Sequence, residues 1–451
     1  MSCSKSVLWA FCFLYNALLV IGTLLLLPLL TYTVVTKAKR RRTFLPRMGW
    51  CRYPWQKDAK PIGQHIWVHA LSVGEVQAAQ PLVARIHQSA PRHRICLTTS
   101  TLTGYQIASQ LFHHHSCVDL AYFPYDWIWA VRSVISKIKP TVVILTETDI
   151  WPNFLMAMHR RNIPVHLVNL RFSDHSWAKF QRFSGTMCYL FNLINKISVQ
   201  SEDDLNRLVQ LGVAPEKIAV TGNIKFDAEI PQIDQTFKTV FFQRWQLCKK
   251  TKIIVAGSTH QGEEEILINV LRSLYEKKND LLLIIAPRDP RRSSEIITLG
   301  RSYGFDCQLF STTTSENGAR PDIVVIDVIG VLKKIYHMAE IVFIGGSLVK
   351  SGGHNPLEPA ACGKPVLFGP DMSDFTVISK FLNTAGGAVQ VKGMSDLAIT
   401  AYALLTKPGF AQTMGQRALS VFKSHQGAVD RTLAFLKLDQ ANSKTADTVL
   451  C

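Results

Sequence analysis

The chain is 451 residues long, 47% hydrophobic and 18% charged, with a formal net charge of +17. That length suits two large domains plus an appendage, and the apolar content excludes global disorder. The positive charge calls for an anionic partner: nucleic acid, an acidic membrane, or substrates carrying phosphates and carboxylates.

The first element is an apolar helix. From Ser6 to Thr36 no charged residue occurs, which exceeds the roughly 20 apolar residues that span a bilayer, so residues 1–36 are predicted to form a transmembrane anchor. A cleaved signal peptide would have a shorter apolar core and a small-residue cleavage site, and none is evident. Lys37, Lys39, Arg40, Arg41, Arg42 and Arg47 follow at once, against Lys5 alone on the other side. The positive-inside rule therefore places the N-terminus outside and the rest of the chain in the cytoplasm, as a single-pass membrane protein. A kink at Pro28 and a shallow re-entrant helix are alternatives. Residues 37–60 form a basic juxtamembrane segment, either a plain stop-transfer signal or a clamp onto anionic lipid worth about 1 kcal/mol per basic side chain. The run abuts the apolar helix and lacks interleaved aromatic residues for base stacking, so nucleic acid is not the expected partner.

Beyond residue 60, short β-branched runs alternate with helical patterns. The predicted strands are 65–70, 94–99, 141–146, 164–169, 196–200 and 218–221, then 252–256, 281–286, 322–327, 341–345, 365–368 and 387–391. Alternating strands and helices predict parallel sheets covered on both faces. The fold class is thus α/β, with two Rossmann-like domains facing across a cleft: residues 61–226 and 251–438, joined by a linker at 227–250 and followed by a tail at 439–451. Ligands of such sheets bind beyond the carboxyl ends of the strands. The ten cysteines lack the spacing of a zinc or redox motif and read as reduced thiols.

Six motifs lie at those strand ends. HALSVGE carries Glu75, either a general base pointing into the cleft or a carboxylate favoured by the helix dipole. TETDIWPN carries Glu147 and Asp149, one of which can be a solvated cap. TGNIKFD carries Lys225, either an anion contact or a surface charge. AGSTHQGEEE opens a helix on Ser258 and Thr259, which are good N-caps. APRDP holds Arg288 between prolines, where it can meet a phosphate or a base edge. The segment from Gly345 to Gly369 surrounds a Ser and a Lys with glycines whose free amides can cradle phosphate. Within it, Asn355, Pro356, Leu357 and Glu358 also read as a capping box, with Glu358 alternatively bonding ribose hydroxyls. His113-His114-His115 reads as a solvated stretch, since adjacent helical residues point in different directions. No Walker-type loop, nucleophile elbow or zinc-protease helix occurs.

In that order, from HALSVGE to GGHNPLEPA, the motifs resemble the 3-deoxy-D-manno-octulosonic acid (Kdo) transferases of lipopolysaccharide synthesis. The resemblance covers nearly the whole chain. It implies a GT-B fold, CMP-Kdo as donor and a lipid A precursor as acceptor, with further Kdo units added by the same enzyme in some members. It also implies Glu75 as the base that deprotonates the acceptor hydroxyl, and Glu147 and Lys225 as residues that steady the transition state. Pro287 and Arg288 would begin the CMP-contacting segment. Ile329, Gly330 and Val331 would form a second cytidine-side loop, and Asn355 to Glu358 the phosphate and ribose loop. This chain departs from the family pattern at Asp289, where a His is usual, and at Val331, where an acid is usual.

A CMP-sugar already carries a good leaving group, so transfer needs a base and positive potential for departing CMP. One carboxylate base without a second nucleophile suggests a single inverting displacement. No metal-binding acid pair is evident, and neither a metal nor a cofactor is expected. The rivals are another membrane-bound GT-B glycosyltransferase, a nucleotide-sugar epimerase, and a non-catalytic tethered binder of anionic ligands.

Overall fold

The computed structural model describes residues 5–50, 63–113, 115, 117–229, 232, 235–276, 280–312 and 320–438. His114, the tail 439–451, residues 51–60 of the basic segment and most of the 311–320 loop lie outside these residues.

The described residues divide into two compact units, one drawn from Met1–Ala228 and Gly427–Cys451 and the other from Glu229–Gln426. In the first, strands β1 (His65–His69), β2 (Arg94–Thr99), β3 (Val118–Tyr122), β4 (Val142–Thr146), β5 (Val165–Leu170), β6 (Lys196–Val199) and β7 (Ile218–Val220) form one sheet. Its order is β3-β2-β1-β4-β5-β6-β7, and every pair is parallel. β1, β4 and β5 are buried along their whole length, as strands covered by helices on both faces must be. The order reverses between β1 and β4, which makes the carboxyl ends of those two strands the switch point.

The second unit repeats the architecture with β8 (Lys252–Thr259), β9 (Leu281–Pro287), β10 (Cys307–Leu309), β11 (Ile323–Val325), β12 (Ile341–Ile344), β13 (Val366–Phe368) and β14 (Ala388–Gln390). Its order is β10-β11-β9-β8-β12-β13-β14, so the switch point lies between β8 and β12.

Two strands escape the sequence-based expectation, β3 and β10. Both are the outermost strand of their sheet. An edge strand is covered less completely, so VDLAY is half-buried over most of its length and lacks an uninterrupted apolar run.

The segment from Lys5 to Thr36 is one helix that continues through Pro28, and a second helix, Ala38–Arg47, follows it. From Phe11 to Thr36 the first helix is long and apolar enough to cross a membrane. The expected linker contains a helix of its own, Gln235–Arg244.

The boundary expected at residue 438 is corrected by the last helix, Ala428–Leu436, which belongs to the first unit. Its Ala428, Val429 and Leu436 join the core of Ile66, Val68 and Ile144. Asp227 accepts hydrogen bonds from the Gly427 and Val429 amides, each at 2.6 Å, and so caps the helix. Arg431 Nε donates to the Thr221 carbonyl at 2.9 Å. A stripe of apolar residues with a ready-made cap finds its partners across the chain, and proximity in sequence does not decide which sheet it covers.

Candidate active site

In the first unit the site is built from the ends of β1 and β4. Ser72, N-cap of the helix Val73–Ser89, places Glu75 at the third helical position. The Glu75 carboxylate accepts from the Leu71 amide (2.8 Å), the Ser72 hydroxyl (3.2 Å) and the Thr146 hydroxyl (3.1 Å). It is therefore both part of a helix cap and tied to the end of β4. Burial, and then the charges of Glu147 and Asp149, push its pKa up to about 7 despite those hydrogen bonds.

Glu147 follows β4 in a left-handed backbone conformation, φ 58°, an arrangement a non-glycine residue holds at some energetic cost. Its Oε1 lies 2.8 Å from Lys225 Nζ. Lys225 sits on the short turn Ile224–Asp227. That turn is held by the Asn169 side chain, which accepts from the Ile224 amide at 3.1 Å, and by the Asn223 side chain, which accepts from the Lys225 amide at 2.9 Å. Glu75, Glu147 and Lys225, 150 residues apart in sequence between first and last, thus meet at one switch point.

His69, at the end of β1, was not singled out from the sequence. Its ring stacks on Phe123 at 3.8 Å between centroids, and its Nε2 lies 3.4 Å from Asp149 Oδ2. Asn169 also went unmarked. The signal available for both was a polar residue in the last two positions of a buried strand.

In the second unit, β8, β9 and β12 end together. The amide of Arg288, next after β9, donates to the Thr259 carbonyl at 3.0 Å, and the Arg288 side chain is exposed. Pro287 is buried at the strand end. His260 and His354 approach Nε2 to Nε2 at 2.8 Å, with rings nearly parallel at 15°. Burial, and then the charges of Arg288 and His260, push the His354 pKa down to about 4.

The glycine segment differs from expectation. Glu263 is fully buried, and its carboxylate accepts from four backbone amides: His260 at 2.9 Å, Gly346 at 2.7 Å, Ser347 at 3.0 Å and Leu348 at 2.9 Å. The Gly352 amide donates to Asp371 at 2.8 Å, and the Gly353 amide to the Gly346 carbonyl at 2.9 Å. Of the amides in this segment expected to cradle phosphate, those of Gly346, Ser347, Leu348, Gly352 and Gly353 are thus occupied by the protein's own acceptors. Glu263 opens the helix Glu263–Tyr275, and a carboxylate there can also reach a neighbouring loop whose amides have no strand partner.

The expected capping box is also corrected. Asn355 Oδ1 does accept from the Leu357 amide at 3.0 Å. Glu358, however, turns away to Lys333, 3.4 Å distant. Glu358 is half-buried, and burial raises its pKa while Lys333 opposes the rise. Lys333 lies on the helix Leu332–Tyr336, directly after the loop of Ile329, Gly330 and Val331, so the ion pair ties that loop to the Asn355–Glu358 segment. Ile329 is 72% exposed, and Gly330 has φ 98°. Asp289 caps the turn Pro290–Arg292, its carboxyl held well below its ordinary value by hydrogen bonds from Arg291.

A family model described as 3-Deoxy-D-manno-octulosonic-acid transferase (kdotransferase) matches residues 42–228. The chain is 32% identical over 431 residues to the 3-deoxy-D-manno-octulosonic acid transferase of Haemophilus influenzae, covering 94% of this chain and 98% of that one. It is 28% identical to the enzyme of that description from Chlamydophila psittaci, covering 93% and 94%. Among solved structures, a UDP-GlcNAc 2-epimerase from Neisseria meningitidis matches with a TM-score of 0.58 at 16% identity, over 82% of this chain and 99% of that one. A glycosyltransferase from Rickettsia africae matches with a TM-score of 0.56 at 11% identity, over 84% of this chain and 100% of that one. At such identities the likeness is one of fold, and with two parallel-sheet α/β units that fold is GT-B.

Proposed function

Because the chain belongs to the 3-deoxy-D-manno-octulosonic acid (Kdo) transferase family, we propose that it moves Kdo from CMP-Kdo to the lipid A precursor, lipid IVA, at the cytoplasmic face of the inner membrane. The observation that carries this reading is the buried Glu75 carboxyl, whose pKa of about 7 suits a general base near neutral pH.

In the proposed step the acceptor hydroxyl oxygen forms a bond to the anomeric carbon of Kdo. The bond from that carbon to the CMP phosphate oxygen breaks, CMP leaves with the electron pair, and Glu75 takes the hydroxyl proton. A single displacement inverts the anomeric centre. Lys225, paired with Glu147, supplies positive potential near the base, where the Kdo carboxylate and the acceptor phosphates are anionic. In the second unit Arg288 offers a guanidinium to the CMP phosphate. The loop of Ile329 to Val331 and the segment of Asn355, Pro356, Leu357 and Glu358 line the nucleotide, with Pro287 closing its strand beneath. Leaving-group stabilisation in this reading comes from Arg288, Lys225 and the backbone amides near Ser351 to Asn355, since the amides of residues 346–348 are committed to Glu263.

The test is mass spectrometry of products from CMP-Kdo and lipid IVA, which also counts the Kdo units added. The wild-type chain should yield Kdo-bearing lipid, and Glu75→Gln should lose transfer while still binding CMP. Unchanged transfer by that variant would remove Glu75 from the role of base, and no Kdo product from the wild type would remove the acceptor assignment.

A further inference from the structure

Tyr15 and Asn16, polar residues within the long apolar helix, have partners on the body of the first unit. Tyr15 Oη donates to Asp126 Oδ2 at 2.8 Å. Asn16 and Asn153 exchange amide hydrogen bonds in both directions, at 3.0 and 2.9 Å. Cys12 Sγ lies 3.1 Å from Met156 Sδ. Asp126 is itself buried and also accepts from the Asn153 and Phe154 amides at 2.9 and 2.8 Å, so it is an integral part of the fold.

The other end of the helix pair is fastened to the same loop. The Tyr125 amide donates to the Arg47 carbonyl at 2.9 Å. Arg47 Nε donates to the Phe123 carbonyl at 3.1 Å, and its guanidinium lies 4.0 Å from the centre of the Tyr125 ring. Residues 123–126 therefore hold Tyr15 and Arg47 side by side, although a long helix and a turn separate them.

That closure bears on how the helix meets a bilayer. From Asn16 to Thr36 the helix runs about 30 Å, the thickness of a hydrocarbon core. Were it to cross with the body on the Lys37 side, Tyr15 and Asn16 would lie on the far side, out of reach of Asp126 and Asn153. Nor can it dip in and return, because the bend falls at Lys37 and is followed by Lys39, Arg40, Arg41 and Arg42, all exposed. Charges of that density are not carried into hydrocarbon.

The surface chemistry fits a third arrangement. The helix turns Tyr15, Asn16 and Leu19 toward the body, while Phe13, Leu25 and Val35 are 77%, 75% and 69% exposed, and with Leu24, Leu26 and Leu27 also exposed its middle presents apolar side chains on every side. Trp50 and Trp129 stack at 5.6 Å and are both exposed, as aromatic residues at a headgroup boundary are. Between the helix pair and the body runs a groove of about 740 Å³, lined by Leu19, Leu26, Leu30, Phe44, Trp127 and Trp129, whose walls suit acyl chains.

We infer that the apolar helix lies along a single leaflet of an anionic bilayer, clamped to the body through Tyr15 and Asn16, with its N-terminal end on the same face as the body. The exposed apolar side chains of the helix enter the leaflet and the basic bend meets lipid phosphates. This rests on the reading of the chain as a membrane enzyme and replaces the crossing topology expected from charge asymmetry.

The test uses the full chain with every cysteine except Cys3 replaced, in a form that retains transfer. A membrane-impermeant maleimide is applied to right-side-out and inside-out vesicles, and the cysteine at 248, restored in a second version, marks the side of the body. Labelling of Cys3 in inside-out vesicles alone is expected. In an Asn16→Cys/Asn153→Cys chain, a short bifunctional thiol reagent should join the two helices in native membranes. Cys3 labelled from the outside, no cross-link, or labelling from neither side (the result a second copy covering the helix would give) each overturns the inference while leaving the chain a membrane protein. Recovery of the wild-type chain in the soluble fraction overturns the membrane reading itself.

Discussion

Lys225 Nζ reaches Glu147 Oε1 at 2.8 Å, and Glu147 holds its side of the pair from a left-handed backbone at φ 58°. Sparsely populated backbone of this kind costs on the order of 1–3 kcal/mol and persists where surrounding structure over-determines it. Here the over-determination is visible in the turn Ile224–Asp227, fixed by Asn169 at one end and by the cap it provides to the last helix at the other.

The pair sets up the first prediction. With Lys225 in place, the negative charge of Glu147 is partly compensated. Lys225→Met leaves that charge to act on Glu75 unopposed, which raises the Glu75 pKa further. The acid limb of the kcat/KM profile should shift to higher pH and activity at pH 7 should fall, while a Lys225→Arg chain recovers most of the shift. An unmoved limb in Lys225→Met would show that the cation acts on substrate alone.

Glu75 itself gives a linked pair of expectations. A base works deprotonated, so kcat/KM should rise with pH through about 7 and then level. Folding responds in the opposite sense. The folded pKa lies above the ordinary value of 4.5, so the folded state holds the proton more tightly between pH 4.5 and 7. Stability from this group is present below pH 4.5 and is lost as pH rises through 7. Glu75→Gln should remove that dependence and stabilise the chain at pH 8 by on the order of 1–3 kcal/mol, read from urea unfolding at pH 5 and pH 8.

Glu263 is expected to be the most sensitive position in the second unit. Glu263→Ala would leave four amides, two of them buried, without their acceptor, a loss of about 3–5 kcal/mol by analogy with breaking a buried charged network. Glu263→Gln keeps one carbonyl oxygen and should lose less. Denaturant midpoints order the three chains, and equal midpoints would exclude Glu263 as the organiser of the glycine loop.

Ile329 separates binding from stability. An exposed side chain contributes little to folding, so Ile329→Ser should change stability by no more than about 0.5 kcal/mol. If its loop lines the nucleotide, the KM for CMP-Kdo should rise with kcat little changed. An unaltered KM would remove this loop from the donor site.

Much of the site was legible because motif residues lie at strand ends, and strand ends are where an α/β sheet gathers its chemistry. Glu75, Glu147 and Lys225 stood out as candidates because each lies just beyond a predicted strand, while their roles came from the family resemblance. What escaped was the use to which polar atoms are put. Glu263 and Glu358 look alike as acids in a first helical turn, yet one is consumed by backbone amides and the other by Lys333. Short-range sequence cannot separate these fates, because the partners lie 83 and 25 residues away.

The amino-acid sequence by itself determined the two series of parallel strands, the long apolar helix and the positions where acids and cations follow strands, because burial periodicity and turn chemistry are local properties. The tertiary structure alone decided that β1 and β4 lie side by side at the switch point, which brings Glu75 beside Thr146 and within the field of Glu147. It alone returned the last helix to the first sheet and fastened Tyr15 to the loop that also holds Arg47. Each is a contact between residues distant along the chain, chosen by which apolar faces and unpaired polar groups the rest of the fold leaves open.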